Sequence, residues 1–161
     1  MTRSSGYLIS QWDRWTTLAG LPRPRVVEGT DSDAEVEFVS GEGSYVLRRH
    51  VDRWTVDESD DRGHRYPAQI RCSTFDLAAK YLIWTWATTA RSVVGAPQLG
   101  RRYQMLGPNA SAGIGEGDRP NTVKLTTSDG WALVPASKSV ILSHVLALSF
   151  EDLDKVLSEG L

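Results

Sequence analysis

The sequence is short of the residues that build metal, redox and nucleophile chemistry. It holds one cysteine, Cys72, and three histidines, His50, His64 and His144, in 161 residues. A lone cysteine excludes an internal disulfide framework and a cysteine metal cluster. None of the histidines has another His, a Cys or a carboxylate at a recognised zinc-ligand spacing. Cys72 reads as a small buried residue and His144, in an apolar run, as a hydrogen-bonded core residue. The Gly-x-Ser-x-Gly elbow of serine hydrolases is absent. The glycines at 113, 115 and 117 lack the Gly-Lys-Ser/Thr ending and the strand-to-helix frame of a phosphate loop. The N-terminal stretch has no apolar signal-peptide core, so a cytosolic protein is expected. No apolar run is long enough to span a bilayer, which argues against a membrane partner.

What is present is one strong helix. Residues 73–91 begin with Ser73 or Thr74, whose hydroxyls suit an N-cap. Asp76 falls in the first turn and Arg91 near the end, each favoured by the helix dipole. Leu77, Tyr81, Trp84 and Thr88 share one stripe, and Leu82, Trp86 and Ala90 the next. A helix this apolar needs cover on more than one side, and a sheet across one face supplies it.

The rest of the chain reads as strands and short helices around that helix. Leu8, Trp12 and Trp15 recur at helical spacing over residues 6–19, and Gly20, Pro22 and Pro24 end the pattern. Residues 26–28 read as a short strand. Residues 34–39 alternate apolar and acidic, with Glu35 and Glu37 expected toward solvent, and residues 45–49 return as a hairpin partner. Residues 52–57 alternate again, residues 58–64 read as a polar turn or loop, and residues 65–72 as a fourth strand, with Pro67 at an edge or near the strand start. Residues 95–121 carry so many glycines and prolines that a long loop is expected. Residues 121–128 and 131–134 form a hairpin about Asp129 and Gly130. Residues 140–148 fit either strand or helix, and residues 149–157 a short capped helix. The expected fold is therefore α+β, one domain over residues 1–161. Two antiparallel meanders, which form most of the sheet, pack on a central apolar helix, with short helices at the N- and C-terminal ends.

Charge is uneven although the total is −2. Residues 28–61 hold eleven acidic and three basic side chains, net −8. Such a block argues against nucleic acid as the partner of that surface and for a basic one. The plainer alternative is solvated acids opposite basic neighbours of the same fold. Arg48, Arg49 and Trp54 suggest an aromatic-basic surface, but the surrounding charge has the wrong sign for nucleic acid. Trp12 and Trp15, on a short terminal helix, are the tryptophans expected to be partly exposed, and Trp is a favoured interface anchor. Packing onto the sheet is the competing reading.

A series of short motifs runs along the chain in a familiar order. Gln11-Trp-Asp-Arg-Trp15 is followed by Ala19-Gly20. Then come Gly43-Ser-Tyr45 with Leu47-Arg48, Trp54-Thr-Val56, and the Asp-Asp-Arg-Gly turn at residues 60–63. Asp76-Leu77 and Lys80-Tyr-Leu82 follow on the helix. Over most of residues 6–135 the chain resembles the immunity protein 61 family, whose best-known type protects against an actinobacterial necrotizing toxin. The resemblance implies a cytosolic antitoxin that uses no cofactor, catalyses nothing, and blocks the active site of an NAD glycohydrolase toxin domain. A monomer binding its toxin one to one is the matching stoichiometry. It assigns no single contact residue. By their own chemistry Asp57, Glu58, Asp60, Asp61, Arg62, Gly63 and His64 form a candidate contact loop. An acidic loop suits a pocket that cradles pyrophosphate with positive groups, and Gly63 permits close backbone approach. Trp12 is the candidate anchor. The competing classes are an enzyme or small-molecule binder with a pocket gated by residues 95–121, and a chaperone for a secreted partner.

Overall fold

The computed structural model describes residues 4–28 and 34–161. The acidic residues 31 and 33, and the side chain of Glu35 expected toward solvent, lie outside the described residues. The first helix, α1 (Ser5–Ala19), starts where the Ser4 hydroxyl accepts the Tyr7 N–H and stops at left-handed Gly20, φ 64°. Five strands follow: β1 (Arg25–Glu28), β2 (Ala34–Ser40), β3 (Gly43–Arg49), β4 (Trp54–Asp60) and β5 (Arg65–Cys72). The long helix α2 (Phe75–Val93) comes next, capped by the Thr74 hydroxyl on Leu77 N–H. It is followed by α3 (Leu99–Leu106), β6 (Gly113–Glu116), β7 (Thr122–Thr127), β8 (Gly130–Pro135), α4 (Ser139–Val145) and α5 (Phe150–Leu157).

All eight strands join one antiparallel sheet in the order β1-β2-β3-β4-β5-β8-β7-β6. The two expected meanders are thus edge-joined, through only Arg71↔Leu133 and Cys72↔Ala132. Two further links brace that joint. Ser73 exchanges bonds with the Trp131 backbone, and Arg71 holds Asp118 with two bonds of 2.6 and 2.7 Å.

Register decides what the sheet hides. Phe38, Leu47, Val56 and Ile70 lie on the face toward α2 and are fully buried. α2 packs against β4 and β5, and against α1, α4 and α5. Each large apolar side chain buried this way contributes about 1.5–3 kcal/mol. Two of the helix's charged residues are buried with it. Lys80 is 1% exposed, with Nζ 2.5 Å from Asp129 Oδ2 and 3.3 Å from the Leu146 carbonyl. Arg91 is 2% exposed and donates to the carbonyls of Leu157, Glu159 and Pro97.

Two sequence expectations need correcting, and one left open is decided. Residues 95–121 are not one loop: Leu99 and Tyr103, four apart, anchor the short helix α3, and residues 113–116 add an edge strand to β7. Residues 140–148 are helical, because Leu142, Val145 and Leu146 meet the core at helical spacing. Residues 58–60, expected in a polar loop, continue β4. Among the described residues no helix is long and apolar enough to cross a membrane.

Candidate functional site

The β4–β5 hairpin carries most of the residues the sequence marks as contacts, and it sorts them into two groups. Asp57 is 4% exposed. Its Oδ2 accepts Arg48 Nε at 2.9 Å and an Arg65 NH2 at 2.5 Å, and its Oδ1 accepts the Ala68 N–H at 2.8 Å. It sits where β4 and β5 slip register between Val56 and Glu58. Ala68, across that irregularity, has φ 47°. Burial alone pushes the Asp57 carboxyl up. The Ala68 N–H and the two guanidiniums outweigh it and hold the group below its ordinary value.

Glu58 points the other way, into the fold. Its Oε1 accepts the Tyr81 hydroxyl of α2 at 2.8 Å, and Tyr45 lies directly across on β3. Burial and then the Glu58 charge push Tyr45 up to about 12 and raise Tyr81 as well. Asp60 builds the turn: one carboxylate oxygen accepts the N–H groups of Arg62 (3.0 Å) and His64 (2.8 Å). Gly63 has φ 79°, and a Cβ there would meet nothing within 4 Å. Its glycine is required by backbone conformation and not by crowding from its own chain.

The tip itself is Asp61, Arg62, Gly63 and His64, all exposed. The His64 ring meets Tyr66 edge-on at 4.6 Å, and Tyr66 is 44% exposed. Tyr66 was not singled out from the sequence; its i+2 spacing from His64 on a strand was the available signal. The tip is therefore a mixed-charge, aromatic knob. The acidic block does not make one acidic face there, because Asp57 and Glu58 spend their charge on internal partners.

Trp12 follows the competing reading, packing onto the sheet, and not that of a partly exposed anchor. It is 1% exposed, with ring centroids 4.9 Å from Trp86, 5.7 Å from Phe38 and 6.2 Å from Tyr45. Trp15 is equally buried, its indole N–H donating to Gln11. Trp12 anchors α1 to the sheet and α2. Of the basic-aromatic trio, Arg48 is committed to Asp57, while Arg49 lies over Trp54 at 5.6 Å.

A cavity of about 360 Å³ opens between α2, the segment leading into α3, and α4, lined by residues including Trp84, Thr88, Arg91, Gln98, Arg101 and Ile141. A second, of about 250 Å³, shares Trp84, Thr88 and Ile141 with it and runs toward Tyr81 and Lys138. No carboxylate, His or Cys lines either one among the described residues; the second is lined by Tyr81 and Lys138, whose Nζ lies 3.5 Å from the Tyr81 hydroxyl. Among the described residues there is also no group of three or more His, Cys, Asp or Glu able to hold a metal ion.

Compared with known proteins, residues 15–159 match a family model described as immunity protein 61. The fold is similar to that of Rv3902c from M. tuberculosis, with a TM-score of 0.71 at 19% identity over 98% of this chain and 90% of that one. At that identity the likeness speaks for the fold. No curated protein matches the sequence.

Proposed function

This chain belongs to the immunity protein 61 family and has the general role of an immunity protein, and on that premise we propose that it binds a cognate secreted toxin and occludes its active site. The family match over residues 15–159 carries the reading. It is also what supports a binding role in place of catalysis. The proposed partner is an NAD glycohydrolase domain, met one to one in the cytoplasm by a protein that is one domain throughout.

The contact element we assign is the β4–β5 tip: Asp61, Arg62, Gly63 and His64, joined by Tyr66. Three properties support it. The side chains are exposed, the turn is held by Asp60, and the strands beneath are tied by Asp57. A preorganised tip loses little conformational entropy on docking, which favours affinity. Asp60 and Asp57 serve the tip by fixing its shape, and Glu58 by fixing the hairpin to α2.

The test is protection of cells expressing the cognate toxin domain, with NAD consumption measured on the purified pair. Asp61→Lys with Arg62→Glu reverses both tip charges without touching the turn bonds. Inhibition is expected to weaken by at least about tenfold, the scale of one interface anchor, with no change in melting temperature. Unchanged inhibition and unchanged salt dependence would remove the tip from the interface.

A further inference from the structure

The cavity beside α2 has features that the toxin reading leaves unused. It is walled at one end by the N-terminus of α3, where Gln98 is the N-cap and makes no side-chain capping bond. The first turn of α3 carries no acidic residue and instead places Arg101 on the cavity wall. Free first-turn N–H groups and the helix dipole together favour an anion at such an end. By contrast, α1, α2 and α5 each have a Ser or Thr side chain accepting a first-turn N–H.

The second observation is independent of that helix end. Arg91 also lines the cavity, is 2% exposed, and its Nε is buried with no hydrogen-bond partner. All three of its hydrogen bonds go to neutral backbone carbonyls. The neighbouring carboxylate of Glu159 is bound to Arg102 at 3.0 Å and answers the Arg91 charge only through space, with no bond to it. A buried guanidinium without a carboxylate partner is costly unless a charge answers it. Arg91, Arg101 and the helix end thus place positive potential on one cavity whose other walls include the apolar Trp84, Leu99 and Ile141 and the polar Thr88, Ser92 and Gln98. Its volume lies in the lower part of the range for small-molecule sites, about 300–1,000 Å³.

We infer that the cavity between α2 and α3 is a binding site for a small organic anion, a carboxylate or phosphate monoester carried on a flat apolar body. The anionic group sits at the Leu99–Gly100–Arg101 amides beside Arg101, within the field of Arg91. The apolar body lies on Trp84 and Ile141, toward the second cavity. Gly100 contributes by its smallness: a Cβ there would stand 3.5 Å from Ile141 Cδ1 and 3.9 Å from Trp84 Cζ2, in the space the ligand body needs.

Nitrogen-15 NMR titration of the full chain tests this, with phenyl phosphate, benzoate, inorganic phosphate and neutral benzyl alcohol as probes. Phenyl phosphate and benzoate are expected to give saturable shifts at the amides of residues 99–101 and at the Trp84 indole, and benzyl alcohol none. Arg101→Gln should weaken binding by about threefold to tenfold, the worth of a charge-assisted contact. Gln98→Asp is the sharper variant, since it installs a carboxylate at the vacant cap. It should raise the melting temperature and weaken anion binding by about threefold to tenfold. Saturable shifts confined to other residues, no saturation with either aromatic anion, or binding indifferent to Gln98→Asp would each overturn the site. Inorganic phosphate binding as tightly as phenyl phosphate would overturn the apolar subsite. None of these residues belongs to the β4–β5 tip, so failure here leaves the toxin reading standing, and the reverse holds too.

Discussion

Replacing Asp57 by Ala isolates the clamp beneath the hairpin tip. The substitution removes one partner of the Arg48 guanidinium, whose side chain is 15% exposed, and strands the Ala68 N–H. Arg65 matters less, because its side chain is 57% exposed and water recovers it. A stranded buried donor costs about 1–3 kcal/mol, and breaking a buried ion pair from one side about 3–5 kcal/mol. With one of the two arginines largely solvated, the lower end applies, about 3 kcal/mol. For a chain of this size 1 kcal/mol moves the melting point by about 2–4 °C, so Asp57→Ala should melt about 6–12 °C lower. Urea unfolding followed by circular dichroism measures the loss directly. The sign of the pH dependence is fixed as well. The folded-state value of Asp57 lies below its ordinary 3.8. Its contribution is complete above that ordinary value and disappears as pH falls through the lowered one. The gap between the parent and Asp57→Ala should therefore close in acid. A loss under about 1 kcal/mol at neutral pH, the size of a surface pair, or a gap that persists in strong acid, would refute the clamp.

Other perturbations separate packing from backbone and from ionisation. Trp12→Ala should cost about 3–5 kcal/mol, as for a large core aromatic, read by the same urea curves. A cost near zero would put Trp12 back on the surface. Tyr45 is held protonated up to about 12, so its stabilisation is intact below the usual 10 and is lost as pH rises from there to about 12. That loss amounts to about 2–3 kcal/mol by linkage, and Tyr45→Phe should unfold with a correspondingly flatter alkaline limb. Gly63→Ala should cost only about 1–2 kcal/mol, the left-handed backbone penalty, since its surroundings are open. Gly43→Ala should cost more in the same melting assay, because its Cβ would stand 2.3 Å from the Ser59 carbonyl oxygen.

Local signals in the sequence were reliable wherever local physics decides. The Thr74 cap, the Gly20 stop and the Asp129–Gly130 hairpin each depend on a few neighbouring residues, and each lies where the pattern puts it. What failed depends on partners far away in the chain. Trp12 is buried because Phe38, Tyr45 and Trp86 surround it, from two strands and a helix that α1 cannot announce. The acids at 57 and 58 read as solvent-facing charge until Arg65, Ala68 and Tyr81 claim them. The helix α3 hid among glycines and prolines because only one turn-spaced pair, Leu99 and Tyr103, is buried, while its other apolar residues, Met105 and Leu106, are exposed. Tyr103 finds its stacking partner in His144, 4.7 Å away with the rings nearly parallel. The cavity beside α3 was illegible for the same reason: its walls come from three helices.

The Asp57 clamp also bears on how such a protein can change over generations. An immunity protein must follow alterations in its toxin, and most substitutions at an interface risk the fold that presents it. Here the bonds that shape the hairpin lie below the knob, at Asp57 and Asp60, while Asp61, Arg62 and His64 are exposed beyond them. With the tip as the proposed contact element, recognition and foldability fall on different residues of one hairpin. A library randomised at positions 61, 62 and 64 should keep its melting temperature in most members, whereas one randomised at 57 should melt lower throughout. The tip can then drift with its target while the sheet beneath it stays the same.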